Sequence, residues 1–121
     1  MTDVTTVVDT YIQAWNATDA NERQSLVSRT WADDGAAYID PLASSEGQEG
    51  ISGMIGAVQQ QFAGHRFVLS AAPDQHNDRV RFSWQLFPPD GDKPVAGGTD
   101  FATIAEDGRL KVVTGFLDPV E

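Results

Sequence analysis

Most acids of the chain fall in turns or on helix surfaces, but two aspartates, Asp40 and Asp100, do not. Asp40 ends a short alternating stretch, residues 36–40, with Ala36, Tyr38 and Asp40 on one face and Ala37 and Ile39 on the other. Pro41 holds the residue before it extended, which fixes Asp40 at a strand end. Asp100 falls inside a second alternating stretch, residues 95–104, on the face of Ala96, Gly98, Ala102 and Ile104. Those neighbours are small or apolar, so this face turns inward. A charged, unpaired carboxylate there costs several kcal/mol, and the group answers by raising its pKa. Acids perturbed in this way inside a cleft are candidates for acid–base chemistry. The same residues also fit an Asp-Pro turn and a solvent-facing sheet edge, and pattern alone leaves both readings open.

Other chemistries find less support. The chain has no cysteine, which excludes disulfides, thiolate metal sites and a cysteine nucleophile. His76 lies in an expected hairpin turn and His65 follows an expected helix; neither has a ligand partner nearby, so no metal site is expected. Ser70 and Ser83 have no adjacent histidine motif, so a hydrolytic triad is unsupported. Arg79 and Arg81 are expected to face solvent. Trp15, Trp31 and Trp84 suit either the wall of an apolar ligand site or a core.

The elements that must position these residues are legible from periodicity. Val4, Val7, Val8, Tyr11, Ile12 and Trp15 repeat at helical spacing, with Thr2 or Asp3 as the cap. Asp19, three residues before Glu22, opens a second helix whose buried stripe is Leu26, Val27 and Trp31. A third helix carries Ile51, Met54, Ile55, Val58 and Phe62, with Ser45 and Gln48 as a capping box and Gly64 as its stop. Strands are expected at residues 66–72, 79–87, 95–104 and 110–117, joined by turns at 74–78, 88–91 and 106–108. Helices followed by a meander imply one α+β domain over residues 1–121, a curved antiparallel sheet wrapped around helices. In the last strand Val113 and Leu117 share one face, while Leu110, Val112 and Phe116 share the other. A second apolar face needs a cover, and a homodimer is the expectation.

The 121 residues carry a formal charge of −10 and are 40 % apolar. So acidic a domain repels phosphate backbones and anionic membranes, which argues against nucleic-acid or membrane partners. No apolar run approaches the ~20 residues of a membrane span, and no basic segment leads into a hydrophobic one. A cytoplasmic protein is the expectation.

Three stretches carry a family resemblance: Tyr11-Ile12-Gln13-Ala14-Trp15-Asn16; Trp31-Ala32-Asp33-Asp34-Gly35 leading to Asp40-Pro41; and Gly98-Thr99-Asp100-Phe101 leading to Asp107-Gly108-Arg109-Leu110. The chain resembles the nuclear transport factor 2-like superfamily, in particular its SnoaL-like branch, over nearly its whole length. That resemblance implies the cystatin-like, cone-shaped α+β fold, which hosts isomerases, cyclases, dehydratases, epoxide hydrolases and non-enzymes. Within it the site pattern is similar to ketosteroid isomerase. The resemblance then implies Asp40 as base, with Tyr11 and a protonated Asp100 as hydrogen-bond donors to the developing enolate. Two supporting tyrosines of some relatives fall here on Trp31 and Ile55, which cannot continue a hydroxyl network. Arg81-Phe82-Ser83 lacks the arginine–aspartate pair of the superfamily's epoxide hydrolases.

The expectation is therefore a small apolar-ligand pocket, read as a cofactor-free isomerase or cyclase for a steroid-like or polyketide-like carbonyl compound. A non-catalytic binder of a small apolar molecule and a dimerising interaction module are the alternatives. The catalytic candidates are Asp40, Asp100 and Tyr11. The expected lining is Trp15, Trp31, Ile55, Phe82, Trp84, Val113 and Leu117.

Overall fold

The computed structural model describes residues 3–118. Helix α1 (Val4–Asn16) begins where the Asp3 side chain accepts a hydrogen bond from the Thr5 amide; the other expected cap, Thr2, lies outside the described residues. Helix α2 (Ala20–Thr30) begins at Asp19, whose carboxylate accepts from the Glu22 amide at 2.9 Å. Each such cap stabilises a helix by about 1 kcal/mol. Strand β1 (Ala37–Ile39) and strand β2 (Ser44–Glu46) then form a tight antiparallel pair. Helix α3 (Gln48–Gln61) follows. The meander comprises β3 (Arg66–Leu69), β4 (Asp74–His76), β5 (Arg79–Phe87), β6 (Ala96–Ile104) and β7 (Leu110–Leu117).

The strands lie in the order β2-β1-β7-β6-β5-β3, with β4 also paired to β5. Three helices cover one face of this curved, open sheet. The buried cluster joins Val7, Val8 and Tyr11 of α1 and Leu26 and Val27 of α2 to Val80, Ala102 and Val113 of the sheet. Asn16 ties the end of α1 to β3: its Nδ2 donates to the Phe67 carbonyl at 2.9 Å, and its Oδ1 accepts from the Phe67 amide at 2.7 Å. No helix is long and apolar enough to cross a membrane among the described residues.

Several expectations are corrected. The sheet is mixed rather than antiparallel, because β1 runs parallel to β7. The two strands are far apart in sequence, so no hairpin turn dictates their direction. Ser44–Glu46 is a strand, not part of a capping box; Gly47 at φ +76° leads into α3, and no side chain caps that helix. Gln48 instead donates to the Trp31 carbonyl. Trp31 sits just past α2, bridged to Leu110. The stretch around 74–78 contains β4. Leu110 faces the core and not the outer surface: a register shift between Ala102 and Ile104 pairs it with Ile104. Val112 and Phe116 remain exposed, as parity requires.

Candidate active site

Strand β1 supplies the first acid. Tyr38 and Asp40, two residues apart, project to the same side, and the Tyr38 hydroxyl donates to Asp40 Oδ2 at 2.6 Å. Just beyond the strand the chain turns, and Asp40 Oδ1 accepts from the Leu42 and Ala43 amides at 2.7 and 2.8 Å. The Asp40 amide donates back to the Ala43 carbonyl, closing the turn at 2.9 Å. Three donors thus fix the carboxylate in one orientation at the edge of the cavity.

Strand β6 supplies the second. Asp100 is paired across the sheet with Phe82 on one side and Gly115 on the other, and only 1 % of it is exposed. The Tyr11 hydroxyl donates to its Oδ2 at 2.5 Å, and the Trp84 indole N–H donates to its Oδ1 at 3.2 Å. Burial pushes the Asp100 carboxyl up to about 6; the two hydrogen bonds restrain that rise, and the charge of Asp40 adds to it. Burial and the neighbouring Asp100 also hold the Tyr11 phenol well above its ordinary value, so it acts as a neutral donor. Burial raises the Tyr38 phenol likewise.

Two glycines make this geometry possible. A methyl group on Gly115 would lie 2.8 Å from Asp100 Oδ1, 3.2 Å from Asp40 Cβ and 3.4 Å from the Tyr38 hydroxyl. Both acids and one phenol therefore converge over the bare backbone of β7. A methyl group on Gly98 would meet the Trp84 ring at 2.7 Å, so the indole lies across β6 only because residue 98 has no side chain.

Asp40, Asp100 and Tyr11 share one cavity of about 260 Å³ with Tyr38. Of the expected lining, Trp15, Trp84 and Leu117 take part. Trp31, Ile55, Phe82 and Val113 do not; they belong to the buried core. Phe82 and Trp31 pack against the Tyr11 ring, at centroid distances of 4.9 and 5.3 Å, and so brace it from behind. On α3 the cavity is met by Met54 and Val58, one edge of the stripe that also carries Ile55. Sequence reasoning missed Tyr38 and Phe67 as wall residues. Tyr38 carried a signal, its shared parity with Asp40. Phe67 had none, because its place depends on the Asn16 tie that sets it 5.3 Å from Trp15 and 5.3 Å from Trp84. His65 is half-buried and His76 exposed, and both lie off the cavity. Arg79 and Arg81 face out, paired with Asp78 and Asp74.

The sequence profile of the SnoaL-like domain matches residues 8–113. The chain belongs to the SnoaL-like family. Among solved structures, a SnoaL-like protein of Agrobacterium tumefaciens, provisionally named an isomerase, is 49 % identical. The match covers 94 % of this chain and 96 % of that one, with a TM-score of 0.88. A protein of Sinorhizobium meliloti, provisionally named a polyketide cyclase, is 19 % identical with a TM-score of 0.68, covering 91 % and 93 % of the two chains. A Catenulispora acidiphila protein with a ketosteroid isomerase-like fold is 15 % identical with a TM-score of 0.70, covering 90 % and 82 %. The last two likenesses concern fold alone. No curated protein matches the chain. This SnoaL-like domain thus has one acid just past β1 and the other on β6, held by tyrosines from β1 and α1.

Proposed function

We propose that this protein moves a proton next to the carbonyl group of an apolar compound, as an isomerase or cyclase working without a cofactor. The observation that carries the reading is the convergence of two carboxyl groups over Gly115 inside one largely apolar cavity, each held by a tyrosine hydroxyl. Asp40 sits at the cavity edge with its orientation fixed, and takes the proton. Asp100 is buried and titrates near 6. A ligand that displaces water from above it raises its pKa further, so the bound state carries the proton. Asp100 then donates to the carbonyl oxygen, and Tyr11 stabilises the same charge. Burial sets Asp100 apart as the acid, and Asp40, held in place by three donors, is left as the base. The 49 % identical relative supports the isomerase class. The test is solvent deuterium exchange into hydrophobic ketones, followed by NMR.

One observation favours a second reading. The Tyr11 hydroxyl and the Trp84 indole both donate to Asp100, so neither is free for a ligand oxygen while that acid is ionised. A non-catalytic binder needs no such donor. Ketones that bind without exchanging deuterium at any pH from 5 to about 8, a range spanning the Asp100 titration, would establish it.

The proposal extends to a homodimer. Phe101, Val112 and Phe116 are exposed on the outer face of β6 and β7, opposite the cavity. An exposed apolar group of this kind on a sheet suits an isologous interface.

A further inference from the structure

The cavity continues into an apolar rim. Leu42, in the turn after β1, is 77 % exposed; Leu117, at the end of β7, is 43 % exposed; Phe62, at the end of α3, is 37 % exposed. All three also line the cavity, so they form its mouth, while Asp100, at 1 % exposure, marks its floor. Leu42 is directly tied to the reacting end, because its amide donates to Asp40. At about 260 Å³ the cavity falls below the ~300–1,000 Å³ of most ligand pockets. Among the described residues that line the cavity there is no lysine, arginine or histidine, whereas two are aspartates.

We propose that the site takes an uncharged ligand in two parts: a compact carbonyl-bearing head of one or two rings inside the cavity, and an apolar extension lying across Leu42, Phe62 and Leu117. This rests on the reading that the cavity takes a carbonyl compound. The size of the cavity below its mouth limits the head. The exposed rim, continuous with the cavity wall, is apolar surface that a longer ligand covers. The Asp40 carboxylate, with no cation beside it among the described wall residues, disfavours a ligand bearing a carboxylate or phosphate. A second copy of the chain belongs elsewhere: on β7, Phe116 and Leu117 point to opposite faces, and the outer face is the one assigned to the dimer.

The test compares cyclohexanone, phenylcyclohexanone and oxocyclohexanecarboxylate. Binding is read from the fluorescence of Trp15 and Trp84, which line the cavity. The phenyl-bearing ketone is expected to bind at least about tenfold more tightly than cyclohexanone, a difference of about 1.4 kcal/mol. The carboxylate is expected to bind most weakly. A Leu42→Ser, Leu117→Ser double variant, checked for folding by circular dichroism, is expected to lose the preference for the phenyl group. Equal affinities on the wild-type protein overturn the proposal without recourse to any variant. A preference that survives in the folded double variant, or tightest binding of the carboxylate, also overturns it. Deuterium exchange into the same ketones separates this from the functional reading. The expected affinity order without exchange leaves the two-part ligand standing and removes proton transfer; exchange with equal affinities does the reverse.

Discussion

Replacing Asp100 by asparagine removes a buried acid while keeping its shape, and the consequence for stability has a defined sign. Asp100 is held up from 3.8 to about 6, chiefly by burial. Between those values the folded protein keeps the proton that the unfolded chain has released, so stability falls as pH rises through the interval. The contribution of the protonated group is fully present below about pH 4 and lost above about pH 6. A rise of roughly two units, at about 1.4 kcal/mol each, amounts to about 3 kcal/mol. The asparagine variant has no such dependence. Its stability relative to the wild type should therefore improve by about 3 kcal/mol between pH 4 and pH 8. Asp33 and Asp107 run the other way: hydrogen bonds from Arg109 hold both low, so their contribution is lost as pH falls. Both proteins share that effect, and it cancels in the difference. Urea unfolding of wild type and Asp100→Asn across this range is the assay. A difference that stays flat with pH, or moves against the variant as pH rises, refutes the burial argument.

Three further outcomes follow from the same geometry. Tyr11→Phe removes a hydrogen bond that favours the ionised form of Asp100, so the Asp100 titration should move above 6 and the protein should lose about 1.5–3 kcal/mol at neutral pH. NMR titration of carbon-labelled aspartate reads the first effect and urea unfolding the second. Gly115→Ala places a methyl 2.8 Å from Asp100 Oδ1 and should cost about 1–3 kcal/mol while displacing both acids; a thermal melt unchanged from wild type would show that the acids have room to spare. Sedimentation should find a dimer at micromolar concentration and a monomer after Phe116→Asp, whereas a monomeric wild type contradicts the outer-face interface.

How far the sequence carried this account differs from residue to residue. Parity alone put Tyr38 with Asp40, and Asp100 with Gly98 and Ala102, because side chains alternate strictly along an unbroken strand. The first helix was equally plain, since Tyr11 and Trp15 belong to one strong stripe capped by an aspartate. What failed depended on pairing partners. Alternation places Leu110 on the outer face, whereas the irregularity between Ala102 and Ile104 that turns it inward exists only in the β6–β7 ladder. The parallel β1–β7 pair and the short β4 are likewise products of assembly. The cavity wall was half legible for a related reason. Phe82 and Trp84 share a face, yet Phe82 packs behind the Tyr11 ring while Trp84 reaches Asp100 across Gly98. Met54 and Ile55 share a helical stripe, and periodicity cannot say which of them meets the cavity and which the neighbouring helices. Parity gives the face, and packing then divides that face between core and site.

In the proposed reaction Asp40 takes a proton from beside a ligand carbonyl while Asp100 donates to it. Solvent deuterium exchange into a bound hydrophobic ketone, measured by NMR for wild type, Asp40→Asn and Asp100→Asn, addresses both halves at once. Wild type should exchange. Asp40→Asn should bind the ketone nearly as well and show no exchange above the uncatalysed rate. Asp100→Asn should exchange more slowly than wild type but retain activity, because its amide still donates a hydrogen bond. Exchange that persists in Asp40→Asn contradicts the account.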